Sequence, residues 1–158
     1  MTLASAFALF VFIVIAFAVA SSGAIFKPDE WYRDLEKPSW TPPNWAFPLV
    51  WSVLYVMIAV SGWIVWGAAG LTAAFIPYGL QYLFNGLWSY IFFRRRRPDI
   101  AFFDLVALWL SIAATIAAFA PISATAAWLL VPYLCWVTIA GCLNRSVWRR
   151  NPNSFVAS

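Results

Sequence analysis

Long apolar runs, separated by short polar or charged segments, make up most of the chain. A transmembrane helix needs about 20 consecutive apolar residues, and each of these runs is long enough to cross a bilayer. The runs cover about residues 2–26, 45–66, 71–93, 100–120 and 124–147. The pattern predicts an all-α integral membrane protein in which residues 1–158 form a single domain, a bundle of five transmembrane helices.

Composition strengthens this interpretation and removes several function classes. Hydrophobic residues make up 64% of the chain, charged residues only 10%, and the mean hydropathy is +0.80. Soluble domains usually carry about 25% charged residues. The chain has no histidine, which is the commonest metal ligand and general base. It also lacks P-loop, HExxH, GxSxG and CxxC motifs. We therefore expect neither a conventional enzyme nor a metal site.

The first apolar run could instead be a cleaved signal peptide, because Ala18-Val19-Ala20 is similar to a cleavage site. Signal peptides place a basic segment before an apolar stretch of about 7–15 residues. Here no Lys or Arg precedes the run, and the run is longer than that. We therefore expect residues 2–26 to form a retained transmembrane helix.

The basic residues are distributed asymmetrically. In a five-span protein all ten would lie on one side of the membrane, in the first loop, the third connection or the C-terminal end. They are Lys27, Arg33, Lys37, Arg94, Arg95, Arg96, Arg97, Arg145, Arg149 and Arg150. The positive-inside rule then predicts a cytoplasmic first loop and C-terminus, with the N-terminus outside. Because the net charge of +4 is divided among short segments, it does not indicate nucleic-acid binding.

The first loop, residues 27–44, is rich in tryptophan and proline. Proline fixes φ and removes a backbone donor, so Pro38, Pro42 and Pro43 stiffen the loop. One interpretation is a simple interfacial anchor, since tryptophans collect at headgroup depth. The density of constrained residues around Trp40 favours the other interpretation, a loop with a role beyond anchoring.

Helical spacing collects aromatic and polar residues onto one face of three predicted helices. The faces contain Phe47, Trp51, Tyr55 and Ile58; Gln81, Asn85, Trp88, Ser89 and Phe92; and Tyr133, Trp136, Ala140 and Asn144. Amides at membrane depth are costly unless they are hydrogen-bonded. Such faces either converge on an aromatic ligand pocket or join the helices through amide hydrogen bonds. The faces alone leave both interpretations open.

Three separated stretches are similar to one known family. They are WYRDLEKPSWTPPNW with the closely following FPLVWSVLY, QYLFNGLWSYIFF at 81–93, and PYLCWVTIAGCLNRSVW at 132–148. In this order they resemble the tryptophan-rich sensory protein/translocator protein (TspO/MBR, peripheral-type benzodiazepine receptor) family over about residues 23–151. The resemblance implies a five-helix bundle, often dimeric, with a cavity open toward the first loop. It also implies binding of porphyrins such as protoporphyrin IX and haem and, in many members, of benzodiazepine-type ligands and sterols.

The resemblance further implies a set of ligand-binding residues. They are Gly23, Ala24, Trp40, Trp51, Tyr55, Asn85, Trp88, Trp136, Ala140 and Asn144. To these we add Lys37, a loop cation placed to meet a porphyrin propionate. No cofactor is obligatory in this interpretation, and protoporphyrin IX or haem is a ligand. The sterol pattern of animal members requires a tyrosine where this chain has Arg145, so we do not expect specific sterol recognition through it.

The main functional hypothesis is a membrane protein that senses, carries or scavenges protoporphyrin IX and haem. We expect it to be a homodimer in contact with lipids in a bacterial cell membrane. One alternative is light- and oxygen-dependent porphyrin breakdown, with Trp51 and Trp136 as the reactive groups. A second is a regulatory or structural subunit that docks on other membrane proteins through Gly79 and Gly86, two turns apart on the third predicted helix, or through the Ala-rich fourth helix.

Overall fold

The computed structural model describes residues 2–26 and 28–152, and these residues contain helices but no β-strand. The α-helices are α1 (Leu3–Ile25), α2 (Glu30–Asp34), α3 (Ala46–Ala69), α4 (Phe75–Ser89), α5 (Pro98–Phe119) and α6 (Ala124–Arg150). A π-helical turn, Tyr90–Arg94, continues α4. The predicted all-α class is confirmed.

Four helices in the described part of the chain, α1, α3, α5 and α6, are long and apolar enough to cross a bilayer. The protein is therefore an integral membrane protein. The third predicted span, residues 71–93, differs from the prediction, because α4 begins at Phe75 and has only 15 residues. The π-helical turn then lengthens it, since the N–H of Arg95 donates to the Tyr90 carbonyl, one residue further back than in an α-helix.

Capping residues explain where several helices begin and end. Ser123 accepts a hydrogen bond from the Ala126 N–H and starts α6 as predicted. Pro98 opens α5, at a position where its missing donor costs nothing. The α3 helix continues through residues 67–69, beyond the predicted span of 45–66, and ends at Gly70, whose φ of 67° suits glycine. The α6 helix also runs past the predicted residue 147.

The first loop contains a helix, α2, that the hydrophobic pattern does not predict. Its five residues follow Asp29, whose side chain accepts a hydrogen bond from the Tyr32 N–H at 3.2 Å. This capping interaction satisfies one of the free donors at the helix N-terminus. The local signal for this helix is therefore the capping residue Asp29, and not an apolar periodicity.

The five helices other than α2 form a closed ring. In it α1 packs on α3, α3 on α6, α6 on α5, α5 on α4, and α4 on α1. Polar side chains join neighbours in the ring: Ser61 donates to the Ala126 carbonyl at 2.8 Å, and Trp63 Nε1 donates to the Ser5 carbonyl at 3.0 Å. The interior is thus enclosed on all sides by helices from distant parts of the chain.

One glycine allows the closest packing inside this ring. Gly62 on α3 faces the Tyr78 ring on α4 and Phe12 on α1, and a Cβ there would meet the Tyr78 hydroxyl and lie 2.9 Å from Phe12 Cε1. No side chain larger than hydrogen fits unless these rings move. Gly67, one and a half turns further on, has open space where a Cβ would be.

We predict that Gly62→Ala destabilises the bundle, while Gly67→Ala does not. Overpacking of this kind costs about 1–3 kcal/mol, whereas Ala at an open helical site improves helix propensity by up to about 1 kcal/mol. Thermal unfolding of the two variants in the same detergent measures the difference. Equal midpoints for Gly62→Ala and Gly67→Ala would show that the Tyr78 contact is not tight.

Candidate functional site

A chain of buried hydrogen bonds crosses the interior of the helix ring. Tyr55 Oη on α3 donates to Asn85 Oδ1 on α4 at 2.6 Å. Asn85 Nδ2 donates to Tyr133 Oη on α6 at 2.9 Å, and the Tyr133 hydroxyl donates to Gln81 Oε1 at 2.9 Å. We call these four residues the interior polar chain. It brings together residues from all three of the faces that the sequence analysis identifies.

Aromatic rings lie directly beside the interior polar chain. The Trp51 ring lies 5.5 Å from the Tyr55 ring and 6.0 Å from the Tyr133 ring, centroid to centroid. The Trp136 ring packs edge-on against Phe47 at 5.7 Å. Both tryptophans are half-buried, and the Trp136 indole Nε1 is buried without a hydrogen-bond partner in the described residues. We call the Trp51 ring and the Tyr55 and Tyr133 rings that it contacts the aromatic wall. The site therefore combines this wall with uncharged polar groups.

A second polar link lies nearer the end of the bundle that carries the first loop. Trp88 Nε1 on α4 donates to Asn144 Oδ1 on α6 at 3.1 Å, and Asn144 Nδ2 donates to the Pro98 carbonyl at 2.6 Å. The first bond joins two of the predicted site residues. In this structure Asn144 connects α4, α5 and α6, so both the oxygen and the nitrogen of its side-chain amide already have hydrogen-bond partners.

The first loop closes this end of the bundle. The rings of Trp31 and Tyr32 from α2 contact Phe92 of the π-helical turn at 6.0 and 6.1 Å. Leu35 is buried against the same cluster, together with Val147 of α6. The loop is thus packed on the bundle as a lid, not extended along the membrane surface.

Hydrogen bonds hold the loop to the end of α6. Asn151 Oδ1 accepts from the Glu36 N–H at 2.9 Å, and Asn151 Nδ2 donates to the Glu36 carbonyl at 2.9 Å and to the Val147 carbonyl at 2.8 Å. Arg150 adds an ion pair with Glu36 at 3.2 Å, in which both side chains are largely exposed. We call this arrangement the loop clasp.

Lys37 has a structural function in this conformation. Its Nζ donates to the carbonyls of Tyr32, Leu35 and Arg33 at 2.7, 2.9 and 3.1 Å. These include carbonyls at the C-terminal end of α2, where a cation is favourable. Burial lowers the pKa of the Lys37 ammonium, while the Asp34 carboxylate acts in the opposite direction. Lys37 would have to leave these carbonyls to pair with a propionate.

A second charged contact joins the loop to the third connection. Arg96 Nη2 donates to Asp29 Oδ2 at 2.9 Å. Burial acts to raise the pKa of Asp29, but the Tyr32 N–H and the Arg96 guanidinium outweigh it, and the pKa lies below its ordinary value. A lowered carboxyl pKa means that the stabilisation is present above the ordinary pKa and is lost as the pH falls through the folded value.

The remaining predicted residues do not join the interior polar chain. Gly23 and Ala24 are exposed near the end of α1, and a Cβ at Gly23 would have open space. The Trp40 side chain is 50% exposed on the loop. Ala140 is half-buried on α6, between Trp136 and Asn144 in sequence. The structure thus leaves Gly23, Ala24 and Trp40 exposed in this conformation, and their predicted part in ligand binding stays a prediction.

An open apolar groove of about 480 Å³ runs between α3 and α6 on the outer face of the ring. Its lining includes Leu49, Val53 and Met57 of α3 and Cys135, Trp136 and Ile139 of α6. Because Trp136 also packs against Phe47, its ring lies between this groove and the aromatic wall. The groove therefore reaches one of the predicted site residues, Trp136, from outside the ring.

Two tyrosines in the interior are missed by the sequence analysis. Tyr78 Oη donates to the Ile58 carbonyl at 2.9 Å and lies 3.1 Å from Tyr82 Oη. Both are buried on α4, beside Gln81. Their spacing of four residues and their position next to an amide are the signals that could have identified them. Asn151 carries no such local signal, because its partner Glu36 is 115 residues away.

Comparison with known proteins identifies the family. The model of the TspO/MBR family matches residues 9–149. The chain belongs to the TspO/MBR family. The relatives of this TspO/MBR protein include Protein CrtK of Rhodobacter capsulatus, which is 44% identical over 148 residues, 90% of this chain and 91% of that protein.

Two further relatives of this chain bear different names. The tryptophan-rich sensory protein of Cereibacter sphaeroides is 42% identical over 136 residues, which cover 86% of each chain. The translocator protein of Homo sapiens is 40% identical over 126 residues, 77% of this chain and 75% of that protein. The predicted family is confirmed.

We predict that Asn151→Ala loosens the first loop of this TspO/MBR protein. The substitution removes three hydrogen bonds and leaves backbone groups of Glu36 without partners, at a cost of about 1–3 kcal/mol. Amide hydrogen exchange in residues 31–40, followed by mass spectrometry, should accelerate roughly 5- to 150-fold. Arg150→Gln is the matched control, because an exposed ion pair contributes at most about 1 kcal/mol. Equal acceleration in the two variants would contradict the loop clasp.

Proposed function

We propose that this protein binds tetrapyrroles within the membrane and acts as a sensor, carrier or scavenger of protoporphyrin IX and haem. The observation that carries the proposal is the aromatic wall of Trp51 beside the uncharged interior polar chain. A porphyrin is a flat apolar disc, and aromatic rings contribute about 0.5–1.5 kcal/mol per stacked pair beyond the burial of their area. Membership of the TspO/MBR family, for which the resemblance implies porphyrin binding, supports the same proposal.

The site is suited to recognising the shape of the porphyrin ring more than to binding a metal at its centre. The chain has no histidine to ligate iron, so the metal-free ring and haem should bind similarly. The two propionates need partners at the loop end of the bundle, where Lys37 is the nearest predicted cation. Because Lys37 now caps α2, porphyrin binding should rearrange this part of the loop.

The proposal includes five membrane spans. In it α4 and the following π-helical turn, Phe75–Arg94, cross the bilayer as the third span. The first loop and the C-terminal end of α6 then lie on the same, cytoplasmic side of a bacterial membrane. The loop clasp supports this arrangement, because it joins Glu36 directly to Asn151.

We also propose a homodimer formed through α4. Gly79 is exposed, and a Cβ there would have open space, while a Cβ at Gly86 would lie 3.9 Å from Val19 Cγ1 of the same chain. Gly79 and the exposed Ile76 and Leu83 leave an outer face of α4 free for a second copy or for lipid. Small residues favour close helix contact in membranes. Benzodiazepine-type ligands remain a prediction from the family resemblance, and other membrane-protein partners remain a prediction from the small residues of the third and fourth predicted helices.

A second candidate function is light- and oxygen-dependent breakdown of a bound porphyrin. The packing of Trp51 against Tyr55 and Tyr133 favours it, because two phenols stand beside the indole that would react. A tyrosine next to a tryptophan that oxygen has oxidised to its neutral radical is placed to return a hydrogen atom, an electron together with the phenol proton, and would itself become a tyrosyl radical. This activity would require no acid–base group in the site.

We predict that cysteines introduced at residues 34 and 96 and at the C-terminus are all labelled from the cytoplasmic side. The experiment uses a membrane-impermeant maleimide on cells and on inverted vesicles, in a background that lacks Cys135 and Cys142. A cysteine introduced at residue 70, in the connection between α3 and α4, is the control and should be labelled from the opposite side. Labelling of residues 34 and 96 from opposite sides would disprove the five-span arrangement.

We predict that Trp51→Phe and Trp136→Phe each weaken protoporphyrin IX binding, since loss of a buried aromatic contact costs about 1–3 kcal/mol, or roughly 5- to 150-fold in affinity. Absorption titration of the purified protein measures this. Trp128→Phe is the control, because Trp128 is 71% exposed. If both site variants bind normally but lose light-driven bleaching, the breakdown function is favoured. If neither binding nor bleaching changes, the site lies elsewhere.

A further inference from the structure

The boundary between α3 and α6 is held unevenly along its length. Among the described residues, the direct hydrogen bond between these two helices runs from Ser61 to the Ala126 carbonyl, near the end of the bundle where α6 begins. The open groove of about 480 Å³ lies in the other half, nearer the first loop, between residues 49–57 of α3 and 132–139 of α6. Apolar contacts join the helices there, and such contacts are not directional. This half of the boundary can therefore separate without losing a hydrogen bond between the two helices.

The groove opens onto the lipid-facing surface of the bundle. Leu49, Val53 and Ile139 line it, and all three side chains are exposed. Because α3 and α6 are both long and apolar enough to cross a bilayer, exposed apolar side chains on them contact lipid tails. No lining side chain carries a charge. The groove therefore suits an apolar ring that is dissolved in the bilayer.

Trp136 separates the groove from the interior site, and little holds its ring in place. The ring packs edge-on against Phe47 at 5.7 Å, and the indole Nε1 has no hydrogen-bond partner in the described part of the chain. The indole of Trp88, by contrast, donates to Asn144 at 3.1 Å. Rotation of the Trp136 side chain therefore breaks no hydrogen bond of its indole, whereas rotation of Trp88 breaks one.

A proline lies at the end of the groove that is further from the first loop. Pro132 is inside α6 and lines the groove. It has no N–H to donate to the carbonyl of Trp128, four residues earlier, and prolines are common points of helix bending. A change in bend at Pro132 moves the following turn, which carries Cys135 and Trp136.

The first loop offers no comparable opening in this conformation. Asn151 holds the backbone of Glu36 through two hydrogen bonds of 2.9 Å. The rings of Trp31 and Tyr32 also contact Phe92 at the end of the bundle. A ligand that arrived through the loop would have to displace these contacts, whereas a ligand in the bilayer already contacts the groove.

We propose that the groove between α3 and α6 is the entry site at which a porphyrin ring docks from the bilayer, before it passes Trp136 to reach the aromatic wall. This inference rests on the proposed function, and it adds a route to the site. The flat ring enters edge-on between the two helices. The groove begins at Leu49, about one turn into α3 from the loop end at Ala46, so the propionates stay near the headgroups during entry.

The two native cysteines provide the test, because both are exposed on α6 and Cys135 lines the groove, whereas Cys142 lies outside its lining. Cys142→Ala leaves Cys135 as the single thiol of the chain, and Cys135→Ala leaves Cys142. Each full-length variant is reconstituted in phosphatidylcholine vesicles and treated with N-cyclohexylmaleimide, which dissolves in the bilayer. Stopped-flow tryptophan quenching by protoporphyrin IX, at concentrations over which the rate rises with porphyrin, then measures association.

The adduct on Cys135 should slow association about tenfold, because it occupies the entry site. It should leave the equilibrium affinity within about threefold, because Cys135 belongs neither to the interior polar chain nor to the aromatic wall. The adduct on Cys142 should change neither quantity. Equal slowing by both adducts would assign the effect to the α6 surface in general and overturn the entry site. No slowing by either adduct would mean that the groove holds lipid only, and would also overturn it.

A second pair of variants tests the groove from α3 without chemical labelling. Val53→Phe fills the groove, whereas Val56→Phe adds the same volume at an exposed position outside its lining. Only Val53→Phe should slow association. Asn151→Ala, which loosens the loop, should leave the association rate unchanged, and faster association in this variant would identify the loop as the route and overturn the proposal. Absence of saturable quenching in the unaltered protein at equilibrium would instead overturn the proposed function, and this inference with it.

Discussion

A polar side chain inside the helix ring needs a hydrogen-bond partner from the protein itself, because neither lipid nor the packed interior supplies water. Tyr55, Asn85 and Tyr133 meet this requirement together, one from each of α3, α4 and α6. Apolar contacts between helices tolerate rotation, whereas hydrogen bonds at 2.6–2.9 Å do not. The interior polar chain therefore sets which faces of these three helices point inward.

The aromatic wall is a consequence of the same constraint. Once Tyr55 and Tyr133 are held by Asn85, the Trp51 ring has two phenol rings to pack against, and its position is determined. Trp136 follows Tyr133 by one turn and lies between the wall and the outer groove. Several residues that hold the helices together, Tyr55, Asn85 and Trp51, are thus also residues of the proposed binding site.

The first loop is held by interactions of a different kind. Its contacts with α6 lie at the end of the bundle, and they combine hydrogen bonds between the Asn151 side-chain amide and the Glu36 backbone with an exposed ion pair from Arg150. Exposed ion pairs contribute little, so most of the stability of the closed lid comes from Asn151 and from the rings of α2 on Phe92. Such a lid can open locally without disturbing the interior polar chain.

The sequence was sufficient for the membrane class, the all-α fold, most helix limits and the family, because each depends on local composition, on spacing within one helix or on a contiguous motif. Helical spacing in the sequence also predicted the three helical faces that carry Trp51, Tyr55, Asn85 and Tyr133. Only the tertiary structure decided that these faces meet, that Lys37 caps α2 and that Gly23 and Trp40 stay exposed. The physical reason is distance along the chain: the bonds Asn85–Tyr133 and Glu36–Asn151 join residues 48 and 115 positions apart. No local pattern specifies such pairs. The partner of each polar group is determined only when the helices pack together into the ring.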